Sequence, residues 1–213
     1  MSWVRHGARR VAQPLVLFGG GCAWCMSVEA WREQPLDAAA EAAVAQFKES
    51  SEWVRIDSLA ARGVLVTLGA ETNALKTYRI YARRDGSEVA AVTSFGGESC
   101  TGHPGIVHGG CTALLFDTTF GFANAVSNGL LEETNPESLK FGFTAALHVN
   151  YRSPCVSTST VLITCKSSEA DGRKRHLRGD MRDAETGALV ADATALFILP
   201  KKTTTKERWW GLF

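Results

Sequence analysis

An α+β fold, with an antiparallel sheet wrapped round one long central helix, follows from three observations. The stretch from Gly109 to about Val126 is long enough for a helix and apolar on most faces, and such a helix needs cover on nearly all sides. Four extended stretches come after it, at 143–152, 157–168, 174–183 and 188–199, with Asp171-Gly172 and Thr186-Gly187 as tight turns between the last three. Two more, "LKTYRIYARR" and "SEVAAVTSFG", flank the hairpin signal Asp85-Gly86. A curved sheet round a single helix buries all of these apolar faces at once.

The chain has 213 residues, enough for one domain with extensions. With 23 basic and 22 acidic residues the net charge is +1, so no global field points to nucleic acid, and an acidic ligand needs a local basic patch. Residues 1–28 contain no acid but carry Arg5, His6, Arg9 and Arg10. The apolar run that follows is broken by Pro14 and by Gly19 to Gly21, which excludes a stable membrane span there. Residues 1–35 therefore read as an N-terminal extension with the composition of a mitochondrial transit peptide; without import, the expected place is the cytoplasm. Of six cysteines only Cys22 and Cys25 form a CxxC, and no second pair or histidine couplet completes a zinc pattern. Scattered reduced thiols, with no metal and no cofactor, are the expectation.

The domain proper spans residues 36–200. "PLDAAAEAAVAQFKES" is an alanine-rich amphipathic helix with Asp37 as its cap. Ser50 to Asn73 mixes loop and short strand, and the glycines and proline between Gly96 and Gly105 mark a loop. Gly129 to Lys140 is a polar connection. The tail 201–213 breaks the pattern and leaves Trp209 and Trp210 exposed or docked on a partner.

The chemistry concentrates at "PGIVHGGCTALLFDTTFG", residues 104–121. The first amide groups of a helix have no partner within it and carry partial positive charge. Glycine there lets a ligand approach the backbone closely. His108-Gly109-Gly110 therefore offers N–H groups to a carbonyl that becomes an oxyanion. Asp117 lies eight residues past Gly109, about 12 Å along a helix axis. One helix cannot bring its own mouth and its own Asp117 to one reacting atom, whereas two antiparallel helices in a symmetric dimer can. In "TAALHVNYR", alternation puts Ala145, Leu147, Val149 and Tyr151 on one face and Thr144, Ala146, His148, Asn150 and Arg152 on the other. That second face has the residue types of a ligand groove, and Arg173 and Lys174 sit across the next turn.

These residues resemble the HGG…D signature of hotdog-fold acyl-CoA thioesterases. "GHPGIVHGG", "FTAALHVNYRSP", "GRK" at 172–174 and "ATALFIL" at 193–199 are similar to the mitochondrial long-chain members of that family. The resemblance covers roughly residues 37–200 and is closest from 95 to 155. It implies hydrolysis of fatty acyl-CoA by a homodimer or a dimer of dimers. Asp117 would be the catalytic carboxylate, as general base on water or as nucleophile, and Thr144 its partner. Gly109 and Gly110 would polarise the thioester carbonyl and His108 would order the loop. Asn150, Arg152, Arg173 and Lys174 would contact coenzyme A. Two rivals keep the fold: an acyl-thioester dehydratase, whose usual histidine pattern is missing from this helix, and a non-catalytic acyl-CoA-binding or regulatory protein.

Overall fold

The computed structural model of the protein describes Trp31, residues 34–56, Leu65, Gly69, and residues 71–132 and 141–201. The N-terminal extension before Trp31, with Cys22 and Cys25, and the tail tryptophans lie outside the described residues.

Helix α1 (Ala38–Lys48) begins where Asp37 accepts a hydrogen bond from the Ala40 N–H at 2.8 Å. Strand β1 (Trp53–Arg55) pairs with β2 (Leu75–Arg83), which turns at Asp85-Gly86 into β3 (Glu88–Phe95). Gly86 has φ +74°, a conformation costly for any side chain with a Cβ. The glycine-rich segment expected as a loop is more ordered than that. It folds into a 3₁₀ turn (Glu98–Cys100) and a short hairpin of β4 (Thr101–His103) and β5 (Ile106–Val107). Helix α2 (Gly109–Ser127) follows, then β6 (Phe143–Tyr151), β7 (Thr160–Asp171), β8 (Lys174–Asp183) and β9 (Leu189–Ile198).

The sheet has the order β1-β2-β3-β7-β8-β9-β6, and every neighbour is antiparallel. Its two faces carry different helices. Helix α1 lies on the outer face, where Ala40, Ala43, Val44 and Phe47 pack with Tyr81, Ala90 and Val92; the Phe47 and Tyr81 rings stack at 4.8 Å. Helix α2 lies on the inner face, where Leu115, Phe116 and Phe120 join Ile80, Ala91, Ile163, Leu177, Met181 and Ala195 in the main core. The approach is close. A Cβ on Gly179 of β8 would collide with the Thr164 carbonyl oxygen and stand 3.1 Å from a Phe120 ring carbon. Trp31 is also fully buried in this core, its indole N–H donating to the Leu75 carbonyl at 2.7 Å.

One expectation fails here. The sheet does not cover α2 on nearly all sides. Thr112, Leu115, Phe116, Thr119, Phe120, Ala123 and Asn124 are buried, but Gly110, Leu114, Asp117, Thr118 and Gly121 are exposed or half-buried. At about 100° per residue these five fall on one strip of the helix. A single sheet encloses one side of a helix, and the strip carrying Asp117 is left open in the single chain.

Candidate active site

The start of α2 is built by His108. Its backbone is extended, and its imidazole Nδ1 accepts the Gly110 N–H at 2.9 Å, a cap made by the side chain itself. The N–H of Cys111 turns back to the His108 carbonyl at 2.8 Å. Gly110 thus has a partner for its donor, whereas the Gly109 N–H has none among the described residues. Over Gly109 lies Tyr151, whose hydroxyl donates to the Gly109 carbonyl at 2.8 Å. A Cβ at Gly109 would come within 3.2–3.4 Å of the phenol, tighter than side chains normally pack, so glycine is what lets the ring sit there. Alternation in the sequence puts Tyr151 on the face opposite the expected groove, with no role there. Its exposure and its bond to the helix mouth depend on the close of β6 against α2, which no local pattern encodes.

Two turns along the helix, Thr144 donates its hydroxyl to Asp117 Oδ1 at 2.8 Å. This pair is brought together by a defect in β6. Thr144 lies opposite Phe197, but Ala146 lies opposite Leu196, so Ala145 is an extra residue. A bulge of this kind reverses which face later residues take. Strict alternation puts Thr144 with Asn150 and Arg152. The bulge puts it on the inner face with Leu147 and Val149, the partly buried residues packed on the core.

The other residues of that expected groove therefore lie elsewhere. Asn150 and Arg152 sit on the outer side of the sheet and both bind Asp192 of β9, from Asn150 Nδ2 at 2.8 Å and from Arg152 Nε at 2.5 Å. Hydrogen bonds from Arg152 and Asn150 hold the Asp192 carboxyl below its ordinary value, and Asp192 in turn raises Arg152. Arg173 and Lys174 are exposed at the β7–β8 turn, and Arg173 is anchored through Nη1 to the Leu199 carbonyl at 2.8 Å. The single polar face thus separates into an inner pair, Asp117 and Thr144, and an outer set tied to Asp192.

Beside the mouth is a cavity of about 360 Å³, whose lining includes Val107, Gly109, Thr112, Tyr151, Arg152 and Cys155. Burial pushes the nearby Cys111 and Cys155 thiols up to about 11. They stay protonated at neutral pH, and a protonated thiol is a poor nucleophile. The acid–hydroxyl pair is left as the polar group suited to activating water. Among the described residues no cluster of histidine, cysteine and carboxylates could hold a metal ion.

The class follows from this architecture: one long helix on the inner face of an antiparallel sheet is a hotdog fold. A thioesterase from Haemophilus influenzae shares it, with a TM-score of 0.53, 17% identity, and coverage of 68% of this chain and 87% of that one. Residues 104–190, from the turn before the helix mouth to the start of β9, match the family described as the thioesterase superfamily. Acyl-coenzyme A thioesterase THEM4 from Bos taurus is 29% identical over 143 residues, 66% of this chain and 54% of that protein. The Mus musculus protein of the same name is 32% identical over 112 residues, 52% of this chain and 44% of that one. The chain spans about half the length of the curated relatives it matches.

Proposed function

We propose that the chain hydrolyses fatty acyl-CoA to the free fatty acid and coenzyme A. The observation that carries this reading is the Thr144–Asp117 hydrogen bond on the open strip of α2. With Oδ1 occupied, the carboxylate is fixed in orientation and its second oxygen is available to take a proton from water. The Gly109 N–H receives the thioester oxygen, and the His108 cap holds the mouth in shape for it. Nucleophilic attack by Asp117 to give an anhydride is the other route open to the same carboxylate. Arg173 and Lys174 offer the exposed cations for the phosphates of coenzyme A, with Asn150 and Arg152, both bound to Asp192, as further contacts.

The active unit in this reading is a dimer or a dimer of dimers. Seven residues separate Gly110 from Asp117, about 10 Å of helix rise, so each mouth works with the partner's acid. Among the described residues strand β6 ends the sheet and exposes Phe143 by 67%, which suits this edge to pair with a second copy. The arginine-rich residues 1–28 direct the chain to mitochondria in this reading. Among the described residues no helix is long and apolar enough to cross a membrane.

One observation favours a non-catalytic acyl-CoA binder: the His108 imidazole already occupies the Gly110 donor. Asp117→Asn decides between them. For the enzyme, turnover falls by about a hundredfold or more while the oligomeric mass stays the same. Unchanged turnover sinks the role of Asp117. Tight binding of non-hydrolysable analogues by the unmodified protein, with no hydrolysis at any chain length, favours the binder.

A further inference from the structure

The cavity beside the helix mouth is not used by the acid–hydroxyl pair, and Tyr151 has no assigned role. Both become intelligible together, given the thioesterase reading above. Gly109 belongs to both the mouth and the cavity wall. A carbonyl held at the Gly109 N–H therefore has one substituent directed to the cavity. Ile106, Val107, Pro154, Val190, the Tyr151 ring and the Cys155 thiol form the apolar part of the wall, and Ser153 and Thr112, the latter 2% exposed, add hydroxyls. The one charged side chain among these lining residues, Arg152, is engaged by Asp192. Such a wall suits an apolar tail and penalises a charged headgroup, because a buried unpaired charge is costly. The volume, about 360 Å³, lies in the range of small-molecule pockets. At ~30 Å³ per non-hydrogen group, the liquid-water share, it takes about a dozen such groups.

Tyr151 is the movable part of this wall. It is exposed by 56%, so the core does not hold it. Its position comes from the hydroxyl bond to the Gly109 carbonyl and from the ring lying on Gly109. We propose that the acyl tail of the substrate lies in the cavity of the protomer whose mouth holds its carbonyl, and that Tyr151 sets the length and width of tail accepted. The expected substrate class is an acyl-CoA of medium chain length.

The test compares the full chain with Tyr151→Ala and Tyr151→Phe, using straight-chain acyl-CoAs and non-hydrolysable thioether analogues of the same lengths. Tyr151→Ala opens the wall and should raise the kcat/KM ratio of a chain of about sixteen carbons to one of about eight by about tenfold or more. Tyr151→Phe keeps the ring and should hold that ratio within about twofold of the parent, whatever it does to overall turnover. A uniform loss at all lengths would reduce Tyr151 to a support of the helix mouth and overturn the proposal. An unmoved ratio overturns it too, as does a changed oligomeric mass, which would assign Tyr151 to a subunit contact. If the parent protein hydrolyses no acyl-CoA, the thioesterase reading fails separately. The thioether affinities then decide the cavity by the same ratio.

Discussion

Strand β3 is buried at every position after its first residue, while β6 has no fully buried residue in nine. The first lies between β2 and β7, with α1 on its outer face and α2 on its inner. Among the described residues the second is hydrogen-bonded on one side only, to β9, and has no helix on its outer face. Thr144 and Tyr151 both come from the exposed strand. Stability and the candidate chemistry are thus drawn from different parts of one sheet, and the more loosely packed part carries the groups that must meet substrate. That division fits the general tendency of sites to occupy segments of low local stability.

The contrast is broken most severely from the buried side. Phe120→Ala removes the ring packed on Gly179 and Phe116 and should cost about 3–5 kcal/mol of unfolding free energy, read from a urea titration. A loss under about 1 kcal/mol would mean that α2 is not the centre of the core. Asp37→Ala deletes the cap of α1 and should cost about 1 kcal/mol by the same titration. On the exposed side, Phe143→Ser should change protomer stability by less than about 0.5 kcal/mol. Light scattering should meanwhile show weaker self-association if β6 is the pairing edge. The smallest effect belongs to Arg152→Ala. Arg152 lowers the folded-state pKa of Asp192, so the pair stabilises the fold above the unfolded pKa of about 4. That contribution is lost as pH falls through the depressed folded value. The melting temperatures of parent and variant should differ slightly near neutral pH and converge in acid, and added salt should shrink the gap.

Much of this was written locally in the sequence. The Asp85-Gly86 hairpin, the N-cap at Asp37, the span of α2 and the positions of the last four strands are set by turn residues and apolar runs. The start of β7 was not, because Ser157 and Ser159 extend the apolar run by polar residues that belong to a turn before Thr160. Nor was the hairpin hidden in Gly96–Gly105, whose backbone bonds reach Cys155 and Ser157, far along the chain. His108, Gly109, Gly110, Asp117 and Thr144 could be picked out by residue type. Their arrangement could not, because alternation assumes an unbroken strand and β6 is broken at Ala145. The polar face dissolved for the same reason: Asn150 and Arg152 found a partner, Asp192, in a strand some forty residues away.

The extra residue at Ala145 also bears on how this chain tolerates changes in length. Deleting that one codon would leave every other pairing of β6 in place, Thr144 opposite Phe197 included, and remove only the local distortion. The protein would fold with its sheet complete and Thr144 still on the face of Asp117. A one-residue change in a surface loop, such as the turn at Asp171-Gly172, would be absorbed locally and leave that pair alone. Ala145 is therefore the spare residue of β6: a lineage one residue shorter there keeps Thr144 opposite Phe197, and with it the Asp117–Thr144 pair, and gives up only the bend that the bulge puts into the strand beside the site.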